Sequence, residues 1–124
     1  KLTFFYFLIH INTNFSFASS PGTEFKTSAC PITGVMRNME IQRGSAGMKD
    51  ALYNRQFGAT AGCTLRLLEN TIAEGDQEVR HGIRGDAWFG SVLTTSEVGI
   101  RGHEGVFQVK TNSALYPKAS LKRL

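Results

Sequence analysis

Residues 83–110 read IRGDAWFGSVLTTSEVGIRGHEGVFQVK, and this stretch decides the fold class. Residues 83–89 predict a short strand, and residues 92–98 predict a helix with Ser91 as its N-cap. Residues 105–110 alternate apolar and polar side chains, as a half-buried strand does. The order strand, helix, strand predicts a βαβ unit of parallel strands joined by a right-handed crossover.

Asp86 stands where this first strand should end, with Gly85 before it and Trp88 and Phe89 shortly after it. Functional sites of α/β sheets cluster at the carboxyl ends of strands, and a carboxylate there can hold a divalent cation. An aspartate in this position can equally cap the following helix or close a turn. From the residues alone, both interpretations of Asp86 stay open.

The rest of the chain also alternates between strand-like and helix-like runs, without internal repeats. Residues 35–41 predict a strand, and residues 48–53 predict a short helix. Residues 59–69 favour a helix, although their β-branched threonines would also suit a strand. Residues 70–80 lack apolar periodicity and predict an exposed loop. Together these segments predict an α/β fold.

The first 20 residues differ from the rest of the chain. Their apolar run, followed by small residues up to Ser20, has the layout of a secretory signal. However, Lys1 stands where an initiator methionine is expected, and polar residues interrupt the run well short of the roughly 20 residues that a membrane-spanning helix needs. The sequence therefore favours a foreign segment over a true signal or anchor, with a domain boundary after residue 20.

The composition of the 124 residues, 41% hydrophobic and 19% charged, is that of one globular domain. It excludes a disordered or disulfide-dense chain. The two cysteines, Cys30 and Cys63, lie in no CxxC pair or metal-ligand spacing, which disfavours a zinc site. No glycine-rich phosphate loop is present, which excludes a nucleotide-hydrolysing motor by motif. His81 and His103 are predicted to be isolated surface histidines.

The net charge of +4 is concentrated at the C-terminal end of the sequence. Residues 101–124 contain five basic residues and one acidic residue, while the remainder is balanced. Contact with phosphates would explain such a tail, and solubility would explain it equally well. If phosphate contact is the explanation, the candidate nucleic-acid contacts are Lys110, Lys118, Lys122 and Arg123.

A resemblance to a known family runs through much of the chain. The run RGDAWFGSV at residues 84–92, followed by VFQVKT at residues 106–111 and YPK at residues 116–118, resembles the piggyBac transposable element-derived domain. Including the upstream part, the resemblance covers about residues 21–118. The upstream similarity lies at residues 21–26, 34–44 and 58–67.

This resemblance implies a fragment of an RNase H-like mixed sheet with flanking helices. It implies that Asp86 is the second catalytic acid of a DDE-type transposase and a ligand of Mg²⁺ or Mn²⁺. It also implies DNA ends as the substrate and a nuclear location. The first and third acids of the family precede and follow this region, and Asp50, Asp76 and Glu97 match no family motif as substitutes.

Two functional hypotheses follow from these observations. The first is a fragment of a transposase catalytic core, whose intact relatives cut DNA and join the freed ends, and which is expected to be inactive alone. The second is a domesticated module that binds DNA or a protein without catalysis. A sheet with exposed edges also predicts self-association, and nothing indicates a small-molecule substrate.

The predicted organisation has three parts: an unmatched apolar segment at residues 1–20, the partial transposase-derived domain at residues 21–118 and a basic tail at residues 119–124. If residues 1–20 are a true signal, the location would be secreted or membrane-anchored instead of nuclear.

Overall fold

The computed structural model describes residues 4–12, 24–73, 79–113 and 115–123. The described elements, in chain order, are β1 (Phe4–Asn12), β2 (Glu24–Ala29), β3 (Met36–Gln42), α1 (Gly44–Met48), α2 (Asn54–Ala73), β4 (His81–Gly85), α3 (Val92–Ile100), β5 (Glu104–Phe107) and α4 (Lys118–Leu121).

The strands of the described residues form one mixed sheet in the order β3-β2-β1-β4-β5. β1, β2 and β3 form an antiparallel meander. β4 pairs in parallel with β1 on one side and with β5 on the other. Because α3 connects the parallel strands β4 and β5, the strand, helix, strand order predicted for residues 83–110 is confirmed, and the chain has the α/β fold expected from its sequence.

β1 lies at the centre of this sheet. Residues Phe7 to Asn12 pair with β2, and residues Phe4 to Leu8 pair with β4. An apolar run flanked by strands on both sides is typical of a central strand. Residues Phe4–Asn12, within the segment that the sequence set apart, therefore lie in one sheet with strands of the domain predicted to begin at residue 21. The origin proposed for residues 1–20 and the limits of the three predicted parts stay predictions.

Helices α2 and α3 pack against one face of the sheet and against each other. Their contact forms a buried apolar cluster, joined by partly buried Tyr53, Phe57, Trp88 and Phe107. Burial of this area from water is the main favourable contribution to folding. The members of the cluster are Cys63, Leu65, Leu67, Leu68, Ile72, Ile83, Phe89 and Val98.

Helix α2 begins earlier and ends later than the sequence predicts. Residues 59–69 are helical, as favoured, but the helix continues to Ala73, so the loop predicted for residues 70–80 is wrong in its first part. The extension is explained by Thr71 and Ile72, which are buried, and by the Thr71 hydroxyl, which donates to the Leu67 carbonyl at 2.6 Å. Residues 74–78 lie outside the described residues. Near its start, α2 is kinked at Gly58, where φ is 86°.

The short helix predicted for residues 48–53 is wrong in its position. The helix is α1, which ends at Met48, and a turn follows it. Tyr53 has a φ of 71°, a left-handed conformation that no helix interior allows. The Asn54 side chain donates to the Met48 carbonyl at 2.7 Å and so satisfies a carbonyl at the end of α1.

Polar contacts attach the β2–β3 hairpin to α2. The guanidinium of Arg66 forms two hydrogen bonds of 2.7 Å with the carboxylate of Glu40 on β3. The hydroxyls of Ser28 on β2 and Thr71 on α2 are 2.7 Å apart and fully buried. These contacts show that Ser28 and Glu40 face α2.

The opposite face of the sheet presents apolar side chains to solvent. Met39 and Ile41 are register partners of Thr27 and Phe25, on the face away from Ser28, and each is about half exposed. Val106 on β5 is equally exposed and pairs with Arg84, the neighbour of buried Ile83. Within the described part of the chain, no helix has the length and apolarity to span a membrane.

Candidate functional site

Asp86 follows the last residue of β4 and comes before the turn that leads to α3. β4 and β5 run in parallel, so their carboxyl ends meet at one edge of the sheet, and the backbone N–H of Gln108, just after β5, donates to the Gly85 carbonyl at 3.1 Å. The structure therefore places Asp86 at the strand end where the sequence predicts it.

The carboxylate of Asp86 is exposed and closes a turn. Its Oδ1 accepts a hydrogen bond from the backbone N–H of Trp88 at 2.8 Å, and its backbone carbonyl accepts from Gly90 N–H at 3.0 Å. This is the side-chain turn that aspartate favours. One of the two interpretations left open by the sequence, a turn-forming role, is thus present in the structure. The second carboxylate oxygen, Oδ2, has no partner among the described residues.

Gly90 lets this turn lie directly against the end of β5. A Cβ atom at this position would lie 2.1 Å from the carbonyl oxygen of Gln108, a backbone atom that cannot move aside like a flexible side chain. Only glycine therefore permits the observed approach. Residues Trp88, Phe89 and Gly90 consequently fix the backbone conformation after Asp86.

Trp88 and Phe89 form the apolar base of the turn. Their rings meet edge to face with centroids 4.9 Å apart, and Phe89 is completely buried in the core. Such edge-to-face pairs add to the stabilisation from burial. The pair therefore anchors the turn that carries Asp86 to the core between α2 and α3.

Lys26 of β2 is a residue that sequence analysis missed. Its side chain is fully buried, its Nζ lies 3.4 Å from the centroid of the Trp88 ring, and it forms an ion pair of 2.5 Å with Glu24. A buried ammonium group is costly unless it is paired, and an aromatic face offers part of that compensation. The sequence held no signal for this arrangement, since Trp88 is remote from Lys26 along the chain.

Ser91 caps α3 as predicted. Its side-chain oxygen accepts a hydrogen bond from the backbone N–H of Thr94 at 3.0 Å, and its hydroxyl lies 2.8 Å from that of Thr94. This contact satisfies one of the backbone donors that a helix leaves free at its N-terminus. The helix after Asp86 therefore begins at a defined residue.

The described residues do not fit a complete metal centre. Among them, no group of three or more histidine, cysteine, aspartate or glutamate side chains could hold a metal ion. The sequence of β1, the parallel neighbour of β4, contains no aspartate or glutamate. Asp50 is paired with Arg55, Glu97 is paired with Arg101, and Asp76 lies outside the described residues. Of the three alternative carboxylates, the two that the structure describes are thus held by arginines and form no metal-binding group of three with Asp86.

The four predicted nucleic-acid contacts are all exposed, and none of them has an ion pair within the described part of the chain. Lys118 and Lys122 line one open pocket of about 360 Å³, whereas Asp86 is not among its lining residues. The other described residues that line it are Thr111, Tyr116 and Leu121. Arg101, which the count of tail charges included, is instead held by Glu97 at 2.7 Å. The basic surface therefore begins at Lys110, and its members are Lys110, Lys118, Lys122 and Arg123.

His81 and His103, predicted to be isolated, lie together at the amino ends of β4 and β5. Their ring centroids are 5.5 Å apart, and Nδ1 of His103 accepts from the backbone N–H of His81 at 3.3 Å. His81 is buried. Partial burial and the neighbouring His81 hold the pKa of His103 below its usual value. Parallel pairing of the two strands explains the contact, which no local sequence signal indicated.

Comparison with known proteins gives a structural neighbour without a sequence relative. No family model and no curated protein matches the sequence. Among solved structures, the fold is similar to that of piggyBac transposase in a synaptic complex with hairpin DNA, with a TM-score of 0.67 and 13% identity. The structural similarity covers 93% of this chain. This share is larger than the share made up by residues 21–118, to which the sequence resemblance extends. The chain spans about a quarter of the length of that transposase, 25%.

Proposed function

We propose that this chain is a fragment of a piggyBac-like, DDE-type transposase core that binds DNA through its C-terminal basic surface and performs no strand transfer alone. The observation that carries the proposal is the position of Asp86, at the carboxyl end of β4 and beside β5, in a fold similar to that of a transposase. The mixed sheet with helices on one face supports an RNase H-like core. The proposed location is the nucleus.

The proposed lack of activity rests on the chemistry of phosphoryl transfer. Two-metal sites use ions roughly 3.5–4 Å apart, held by shared carboxylates, to stabilise the attacking and leaving oxygens. The resemblance implies Mg²⁺ or Mn²⁺, but among the described residues no group of three or more histidine, cysteine, aspartate or glutamate side chains could hold a metal ion. We therefore assign Asp86 the position of the second acid and derive no metal-dependent step for this chain.

A nicking assay tests this part of the proposal. The full chain is incubated with a transposon-end duplex in the presence of Mg²⁺ or Mn²⁺, next to an Asp86→Asn variant that keeps the size of the side chain. We expect background nicking from both proteins. Robust metal-dependent nicking that Asp86→Asn abolishes would show a working catalytic site and overturn the proposed inactivity.

The DNA-binding part is tested by the salt dependence of affinity. Each lysine or arginine that contacts a phosphate releases counterions, so the logarithm of affinity falls with the logarithm of salt concentration by roughly 0.9 per contact. We expect Lys118→Gln and Lys122→Gln to weaken duplex binding and to reduce this slope by about one each. Lys49→Gln, which removes an exposed lysine near α1, is the matched control. Equal effects of all three variants would contradict a basic surface at the C-terminal end.

A second function, a protein-binding module that self-associates, is favoured by the exposed apolar residues Met39 and Ile41 on the edge strand β3. An edge strand with an apolar face is a natural surface for pairing with a second copy. Sedimentation equilibrium of the wild type and of Met39→Lys discriminates the two functions. A dimer that Met39→Lys dissociates, together with no salt-sensitive DNA affinity, would favour this second function.

A further inference from the structure

The pocket between the segment after β5 and helix α4 is lined by both apolar and basic side chains. Tyr116 and Leu121 supply the apolar part, and Lys118 and Lys122 supply the charge. Lys118 and Lys122 are four residues apart, a spacing that places two side chains on the same side of a helical turn. Thr111 adds a hydroxyl to the lining. The pocket can therefore contact an apolar ring and an anion at once.

Backbone hydrogen bonds hold the frame of this pocket. The N–H of Ser113 donates to the Lys110 carbonyl at 3.0 Å, and the N–H of Tyr116 donates to the Ser113 carbonyl at 3.0 Å. The N–H of Lys118 then donates to the Tyr116 carbonyl at 2.8 Å. This series of turns fixes the position of Tyr116 relative to α4. Tyr116 is half-buried and lines the pocket.

The charge around the pocket points to an anionic occupant. The sequence contains no aspartate or glutamate after Glu104, so no acidic side chain in residues 105–124 balances the two lysines of the pocket. The volume of about 360 Å³ lies at the lower end of the range for small-molecule sites. A planar aromatic group attached to phosphate fits a pocket lined by a tyrosine and two lysines. Every nucleobase can stack on tyrosine, so this contact does not depend on the DNA sequence.

We propose that this pocket binds one unpaired nucleotide of a DNA single strand, with its base against Tyr116 and its flanking phosphates against Lys118 and Lys122. The inference rests on the proposed DNA-binding function and adds the form of DNA that is recognised. Bases inside a duplex are stacked on their neighbours and cannot enter the pocket, whereas an unpaired base can. Leu121 contacts the base edge, and the Thr111 hydroxyl is a hydrogen-bonding partner for the nucleotide.

Fluorescence anisotropy with two probes tests the proposal: a blunt DNA duplex and the same duplex with a short oligothymidine tail. We expect the wild type to bind the tailed duplex at least about fivefold more tightly, since stacking of a base on an aromatic side chain contributes at least this much. Tyr116→Leu should remove the preference for the tail, measured as the ratio of the affinities for the two probes. Tyr116→Phe, the matched control, should retain the preference because the ring is kept.

Photo-crosslinking gives a second measurement that does not depend on how the variants fold. A tail that contains 5-iodouridine should crosslink the wild-type chain within residues 111–122, and peptide mass analysis identifies the site. Crosslinks confined to other parts of the chain would overturn the proposal.

The outcomes separate this inference from the proposed function. One outcome is salt-sensitive binding of the blunt duplex with no preference for the tail, or with a preference that Tyr116→Leu leaves unchanged. This outcome would overturn nucleotide binding in the pocket and retain the proposed DNA-binding function. The protein could instead fail to bind the blunt duplex but bind the tail, with Tyr116→Leu removing the tail binding. This outcome would overturn the proposed duplex binding and retain nucleotide binding in the pocket. Equal competition by polyglutamate and oligothymidine would show a merely cationic surface and overturn the pocket.

Discussion

The β4–α3–β5 unit and the β2–β3 hairpin lie in the same sheet but are attached to the helices by different interactions. In the first unit, Ile83, Phe89 and Val98 are almost completely buried and pack through apolar contacts. In the hairpin, Glu40 and Ser28 reach α2 through an ion pair and a pair of hydroxyls. The comparison shows that one sheet can be fixed by apolar burial at one side and by polar pairing at the other.

The two kinds of attachment differ in what they tolerate. Truncation of a buried apolar side chain lowers the free energy of unfolding in proportion to the buried area that is lost and the cavity that is left. For a buried polar pair, deletion of one partner lowers the free energy of unfolding more than replacement of both partners does, because the remaining polar group stays unsatisfied. The unit that carries Asp86 therefore depends on packing, and the hairpin that carries Lys26 depends on matched partners.

The largest expected effect comes from breaking the apolar side with Phe89→Ala. Phe89 is completely buried beneath the turn of Asp86, so its removal should lower the free energy of unfolding by about 3–5 kcal/mol. Urea unfolding measures this change. Leu93→Ala in α3 is the matched control, because Leu93 is 38% exposed and its truncation should cost only about 1–2 kcal/mol. Similar losses for the two variants would contradict the packing role of Phe89.

Breaking the polar side with Arg66→Met should have the next largest effect. Arg66 and Glu40 are 11% and 18% exposed, and methionine removes the two hydrogen bonds that Arg66 donates to the carboxylate of Glu40, which then keeps the one from Gln42. We expect a loss of about 2 kcal/mol in urea unfolding, below the value for a fully buried pair because water still reaches the site. Arg55→Met is the control, since Arg55 and Asp50 form an exposed pair that contributes less than about 1 kcal/mol.

The pH dependence of stability tests the same pair in another way. Burial raises the pKa of Glu40, but the hydrogen bonds of Arg66 and Gln42 outweigh it, so the pKa lies below its usual value of 4.5. A carboxyl with a lowered pKa stabilises the fold above its unfolded pKa and loses this contribution as pH falls through the folded pKa. The difference in stability between the wild type and Arg66→Met should therefore narrow below about pH 4.5. A constant difference across this range would show that the charge of Glu40 contributes nothing.

The contrast between the two sides also explains what the sequence could predict. The helix α3 and its cap at Ser91 depend on neighbours within a few residues, and both were predicted. The strand at β4 was predicted as well, but at residues 83–89 instead of His81–Gly85, because residues 87–89 form a turn. β3 was predicted because Met39 and Ile41 alternate with polar residues on an edge strand. These features need only local periodicity and local hydrogen bonds.

Features that depend on distant partners could not be predicted. Arg66 and Glu40 are 26 residues apart, and no periodicity relates them. Burial of Lys26 depends on Trp88, which reaches it only after β2 and β4 join the same sheet. The break in the predicted helix at Tyr53 depends on a positive φ at a residue that rarely adopts one. At the candidate site, the sequence located Asp86 and the basic residues, but the grouping of Tyr116 with Lys118 and Lys122 required the structure.

Ser91→Ala has the smallest expected effect. It removes a polar contact from the β4–α3–β5 unit, which is held mainly by apolar packing. Its oxygen accepts from Thr94 N–H, and loss of this N-cap should lower the free energy of unfolding by about 1 kcal/mol. Ser96→Ala, at an exposed position inside α3, should cost nothing measurable, because alanine has the higher helix propensity. Since Phe89 and Val98 stay buried in the variant, the unit should remain folded and Asp86 should keep its turn. A loss from Ser91→Ala as large as that from Phe89→Ala would show that the cap, and not the packing, holds the unit that carries Asp86.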